Sequence, residues 1–162
     1  MAPAQPVFPS LEEVIEQERT LVLPSASAAD LYALGRRAAD AAIAEGLALA
    51  VQIRFGERLV FVAAAPGSSA LNDVWASRKA RTVHLLHQSS MRVQLSHKRD
   101  GTDFETRHRL PMDQYSIHGG CFPLSVAGTG CVGSIAVSGL PQTEDHAFIV
   151  RILGEHIAAA AR

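Results

Sequence analysis

Leu11, Val14 and Ile15 fall on one helical face, and Ser10 with Glu13 three residues on has capping-box spacing. The same signature returns at Ser27 and Asp30, followed by Leu31, Leu34, Ala38, Ala41 and Ala42 at helical spacing, with Gly46 as a stop. The period then changes to two. Leu49, Val51, Ile53 and Phe55 alternate with Ala50, Gln52 and Arg54, and Gly56-Glu57 leads into a second strand over 58–64, predicting a hairpin. Pro66-Gly67-Ser68-Ser69 breaks the chain before a helix over about 70–87, whose wheel groups Val74, Leu85, Leu71, Thr82, Trp75 and Leu86 into one apolar face. Residues 89–97 fit neither period, 98–102 read as a loop, and 101–114 read as irregular. Phe122, Leu124 and Val126 make a strand face, 127–130 a turn, and 131–137 a further alternating strand. A closing helix from near Thr143, with Thr143 as its cap, turns Ile149, Ile152, Leu153 and Ile157 inward.

Helix, helix, hairpin, helix, hairpin, helix is an α+β order, with strands joined by tight turns forming an antiparallel sheet on which helices pack. The expected organisation is an extended arm over 1–9, holding three prolines, and one domain over 10–162. The 162 residues are 48% hydrophobic and 19% charged, which excludes disorder, and the net charge of −1 argues against non-specific nucleic-acid binding. The start of the chain has no basic segment followed by an apolar run, and no apolar stretch approaches the ~20 residues of a spanning helix. A cytoplasmic protein without membrane or nucleic-acid partners is expected. Pairing across the 127–130 turn puts Cys121 opposite Ala136 and Cys131 opposite Val126, too far apart along the strands for a bridge.

Three features carry candidate chemistry. Arg78 falls in the middle of the apolar wheel face, and a guanidinium has five donors and no accessible neutral form. It is an internal ion-pair member, with Glu144 or Asp145, an arginine snorkelling to the rim of the sheet, or an anion-binding residue in a pocket or interface. Asn72, Trp75 and Lys79 gather along the same edge of the helix. His118-Gly119-Gly120 enters the next strand, where two glycines permit close backbone approach and exposed N–H groups for an anion, or simply a bulge. Ser138 opens the third segment, through to His146, which reads as a capped helix start with His146 on the apolar side. His118 and His146 are the acid–base candidates. His84 and His87 share a helix at i, i+3 but face solvent with no third ligand, so no metal site is expected.

Asn72-Asp-x-Trp-x-x-Arg-Lys-x-x-Thr-Val83, Ser89-Ser90, His118-Gly-Gly-x-Phe-Pro-Leu124 and Gly133-Ser-Ile-Ala-Val-Ser-Gly-Leu-Pro-Gln-x-x-Asp-His146 occur in that order. In these motifs the chain resembles uncharacterised protein family 0303 of the haem-degrading-domain superfamily, with its GlcG-like and HbpS-like members. The resemblance runs from about Leu11 to the C-terminus. It implies a three-layer α-β-α, profilin-like fold with a central antiparallel sheet of about five strands, commonly assembled into homo-oligomers. It also implies a small pocket framed by the glycine-rich turn before the last helix and the helix after the first hairpin. Three function classes follow: a module binding a small anionic molecule, with haem as one cofactor candidate; an enzyme of haem degradation or other acid–base chemistry; and an oligomeric scaffold. The binding residues under the first are Asn72, Trp75, Arg78, Lys79, His118, Gly119, Gly120 and Ser138.

Overall fold

The computed structural model describes residues 5–162. Of the arm expected over 1–9, residues 1–4 lie outside the described residues, and residues 5–9 carry no regular structure. Helix α1 (Leu11–Thr20) begins at the expected capping box: the Glu13 N–H donates to Ser10 Oγ at 3.1 Å and the Ser10 N–H to Glu13 Oε2 at 2.6 Å. Ser27 and Asp30 open α2 (Ala28–Ala44) in the same way. Each box satisfies donors that the first helical turn leaves without intrahelical partners.

Between these helices lies a strand that the hydrophobic pattern did not announce, β1 (Val22–Leu23), followed later by β2 (Ala50–Phe55), β3 (Arg58–Ala64), β4 (Cys121–Val126) and β5 (Gly130–Ser138). The sheet order is β1-β4-β5-β2-β3. Both expected hairpins form, but β1 runs parallel to β4, so the sheet is mixed rather than wholly antiparallel. Cys121 pairs with Ala136 as the register implied, whereas a bulge at Leu124/Ser125 moves Cys131 opposite Ser125 instead of Val126. Both thiols are free.

Helices α3 (Ala70–Leu86), α4 (Ser90–Asp100), α5 (Phe104–His108) and α6 (Gln142–Ala160) complete an α+β fold of three layers. The main core lies between one sheet face and α2 with α6, built from Leu34, Ala38, Val51, Ile53, Phe122, Leu124, Ile149 and Ile152 among others. The opposite face is covered by α3 through a thinner layer of Ala76, Ala80, Val83, Cys121 and Ala136. This arrangement overturns the wheel reading of α3. Leu71, Val74 and Leu85 are 61%, 44% and 50% exposed, and the small-residue face is the buried one. A helix seated close to a sheet must present small side chains, and residue bulk outweighs hydrophobicity in choosing the face.

Helix α4 takes in residues 98–100 of the loop expected over 98–102, and nearly all of the aperiodic stretch before it, while Gly101 and Thr102 stay outside the helix. Ser89 Oγ accepts from the Arg92 N–H at 3.1 Å, Gly101 closes the helix in a left-handed conformation, and Met91, Val93 and His97 are buried. Glu18 of α1 ties its start, accepting from the Ser89 N–H at 2.8 Å and from Arg92 Nη1 at 2.7 Å. Helix α5 lies in the segment read as irregular. In α6 the cap position is Pro141 without a side-chain cap bond, so Thr143 does not cap it. Among the described residues, no helix is long and apolar enough to cross a membrane.

Candidate functional site

Strand β5 ends at Ser138, where the chain turns through Gly139 and Leu140 into α6, directly over the first half of α3. The gap between these elements is a cavity of about 360 Å³ lined by Asn72, Trp75, Lys79, His118, Ser138, Gly139, Leu140, Gln142 and Asp145. Five of the eight sequence-predicted binding residues line it together: Asn72, Trp75, Lys79, His118 and Ser138. Its size is at the low end of the ~300–1,000 Å³ typical of small-molecule sites.

At its floor lies a buried ion pair. Lys79 Nζ donates to Asp145 Oδ2 at 2.9 Å and to Val137 O at 3.1 Å, and the two side chains are 4% and 2% exposed. Two of the three ammonium donors are therefore used within the protein. Asp145 also accepts from the Leu140 N–H at 3.0 Å, so one carboxylate fixes both the lysine and the turn into α6. Burial pushes the Asp145 carboxyl up, opposed by the pull of Lys79 and the backbone donors of Leu140 and Gly139. The carboxylate considered as a partner for Arg78 thus belongs to Lys79.

Arg78 has no carboxylate partner among the described residues. It lies half-buried with its guanidinium carbon 5.0 Å from the centre of the Trp75 ring, a cation–π arrangement at the edge of the site. Trp75 meets the His118 ring edge-on, with centroids 5.7 Å apart. Ser116 Oγ is 3.1 Å from His118 Nδ1 and accepts the His118 backbone N–H at 3.2 Å, which orients the ring; Nε2 has no hydrogen-bond partner among the described residues. Burial, then the charge of Lys79, lowers the His118 pKa, so the imidazole is neutral at pH 7.

The two glycines after His118 stand behind the cavity rather than in its wall. The Gly119 N–H donates to Gln142 Oε1 at 3.2 Å. Gly120 has φ +120°, and a Cβ there would lie 2.6 Å from Lys79 Nζ and 2.8 Å from both Asp145 Cβ and Val137 O. Its missing side chain makes room for the ion pair. His146 is outside the cavity, 3% exposed, with Nε2 2.8 Å from Gln17 Oε1, and burial drives its pKa down to about 4. Among the described residues no three His, Cys, Asp or Glu side chains are grouped to hold a metal ion.

Sequence reasoning did not select Gly139, Leu140 and Gln142 for the site, and treated Asp145 only as a helix-start acid or a partner for Arg78. The signal for Asp145 was the presence of Lys79 among small helix residues, since a buried lysine requires a carboxylate.

The UPF0303 protein of Streptomyces avermitilis is 43% identical over 145 residues, covering 90% of this chain and 89% of its own length. In fold, the chain is similar to the crystal structure of the Ybr137w protein, with a TM-score of 0.84 and 24% identity over 94% of this chain and 90% of that one. It is also similar to the crystal structure of the PduOC:heme complex, at a TM-score of 0.66 and 20% identity over 83% of this chain and 94% of the other. Residues 26–153 match the family described as haem-degrading protein, HbpS-like, and the chain belongs to that family.

Proposed function

We propose that this chain is a small-molecule-binding domain, spanning residues 10–162 behind a short arm at 1–9, that seats the anionic part of its ligand in the cavity between α3 and the start of α6. The observation that carries the reading is Arg78: a permanent cation without a carboxylate partner among the described residues, stacked on a tryptophan that lines the cavity. Lys79 retains one N–H beyond its two protein acceptors, and Asn72 and Ser138 supply neutral polar contacts. Gly119 and Gly120 contribute by leaving space, not by direct contact.

Haem is the first ligand candidate, because the matching family is described as haem-degrading and a similar fold was crystallised as a heme complex. The residues suit it. His118 offers an unengaged Nε2, Trp75 a flat wall, and Arg78 a guanidinium for a propionate. Bound there, haem would supply a redox-active iron. A cavity of about 360 Å³ would cover only part of so large a group, which fits a site completed by a second copy of the chain in a homo-oligomer. Exposed Leu71 and Val74 on α3, with Val60 and Val62 on β3, give such an assembly apolar surface.

Enzymatic acid–base chemistry is the second reading, favoured by the neutral, oriented His118 imidazole in the cavity. His146, sealed against Gln17, lacks access to a substrate in the same cavity.

Haem titration followed at the Soret band tests the first reading. A saturable spectrum is expected, with its position moved in His118→Ala and affinity about tenfold weaker in Arg78→Met, a difference of about 1.4 kcal/mol. A featureless titration removes haem. A thermal-shift screen of carboxylates and phosphates then tests the wider reading, which fails when no stabilisation depends on Arg78.

A further inference from the structure

We propose a second anion site, separate from the cavity described above, in which Arg54 of β2 and Arg81 of α3 together hold one compact oxyanion of phosphate size. Alternation along β2 marks Gln52 and Arg54 as the polar face, yet α3 covers this face, and Gln52 is only 4% exposed. Arg54 is carried half-buried into the seam between sheet and helix.

All its protein contacts there are to neutral acceptors. Nη2 donates to Gln52 Oε1 at 3.0 Å and Ser77 Oγ at 3.3 Å, and Nη1 donates to Glu57 O at 3.2 Å. Its Nε–H is buried with no hydrogen-bond partner, and no carboxylate pairs with it among the described residues. Arg81, one helical turn beyond Ser77, donates from Nη1 to Gln114 O at 3.0 Å, again a neutral acceptor. Burial, joined by the nearby Arg81 charge, pulls the Arg54 guanidinium down, against a smaller opposite pull from Glu57. The neighbouring Cys121 gives no counter-charge, since burial pushes its thiol up to about 12.

Arg54, Ser77, Ala80, Arg81, His84 and Glu57 line a cavity of about 140 Å³. The only carboxylate in this lining is that of Glu57, whose side chain is 81% exposed and lies 3.7 Å from His84 Nε2. Two guanidiniums therefore share a recess in which the sole opposite charge stands in solvent. An arginine cannot relieve such an arrangement by losing its proton, and a buried, unpaired N–H is costly. An oxyanion in the recess supplies the missing opposite charge through charge-assisted bonds to the two guanidiniums. The volume falls well below the ~300 Å³ at which drug-sized ligands begin to fit, so it selects a compact ion or a single phosphoryl group.

Isothermal titration with inorganic phosphate, at constant ionic strength maintained with sodium chloride, tests the site. In an Arg78→Gln background, which removes the cation of the first cavity, a saturable isotherm is expected, weakened about tenfold or more on adding Arg81→Gln. Arg81 is exposed and bonds only a loop carbonyl, so its variant keeps the fold even where Arg54→Gln does not. Absence of saturable phosphate binding in the Arg78→Gln background, or an isotherm there that Arg81→Gln leaves equal, would each overturn the proposal; binding seen only with Arg78 intact would move the ion to the other cavity.

Discussion

Replacing Lys79 by methionine removes the cation from a pair whose side chains are almost fully enclosed, while nearly preserving volume. Asp145, 1% exposed, would be left with only backbone N–H groups in compensation, to stay charged without a partner or take up a proton, at a cost either way. Leaving one member of a buried pair unpaired costs about 3–5 kcal/mol, against about 5–15 kcal/mol for the stability of a whole domain. With a urea slope of about 2 kcal/mol/M, the unfolding midpoint should fall by about 2 M. Asp145→Asn should cost a similar amount by stranding the ammonium. The double variant removes both charges and should lose less than the sum of the singles, with a coupling of about 2 kcal/mol in a urea-denaturation cycle. A cost below about 1 kcal/mol for Lys79→Met, or additivity within about 0.5 kcal/mol, would refute the assignment of the pair as the anchor joining α3 to the start of α6. Weaker ligand binding without a stability loss would instead make Lys79 chiefly a ligand contact.

Gly120→Ala places a methyl group against Lys79 Nζ at a backbone φ of +120°, and should destabilise by about 3 kcal/mol or more in the same assay. Gly35→Ala puts a Cβ into the Phe61 ring where α2 packs on β3; despite alanine's better helix propensity it should lose about 1–3 kcal/mol, and a gain in melting temperature would contradict this packing. His146 takes up a proton only near pH 4 when folded, against about 6.5 when unfolded. Stability should therefore fall as pH drops from about 6.5 to 4, by up to about 3 kcal/mol from this residue, and His146→Gln should flatten the profile. The lowered pKa values of His97, His118 and His156 act in the same direction.

The sequence by itself determined the elements whose signals are local. Ser10 with Glu13 and Ser27 with Asp30 fix helix starts through bonds three residues apart, and period-two alternation with short turns fixes both hairpins. Those elements, with motifs resembling a known family, supplied the α+β layering and five of the residues around the cavity. Helix α4 escaped because four buried residues suffice for a helix shielded by its neighbours, and its most informative tie, Glu18 to Ser89, spans 71 residues. Tertiary structure alone decided which side of α3 is inside. Hydrophobicity favours Leu71, Val74 and Leu85, but only Ala76, Ala80 and Val83 allow the helix to approach the sheet over Ala136 and Cys121. That rotation takes Lys79 inward to a carboxylate 66 residues away and leaves Arg78 half-exposed on Trp75. Which of two adjacent cations is neutralised by the fold, and which is left without a carboxylate among the described residues, depends on long-range pairing that no local periodicity encodes.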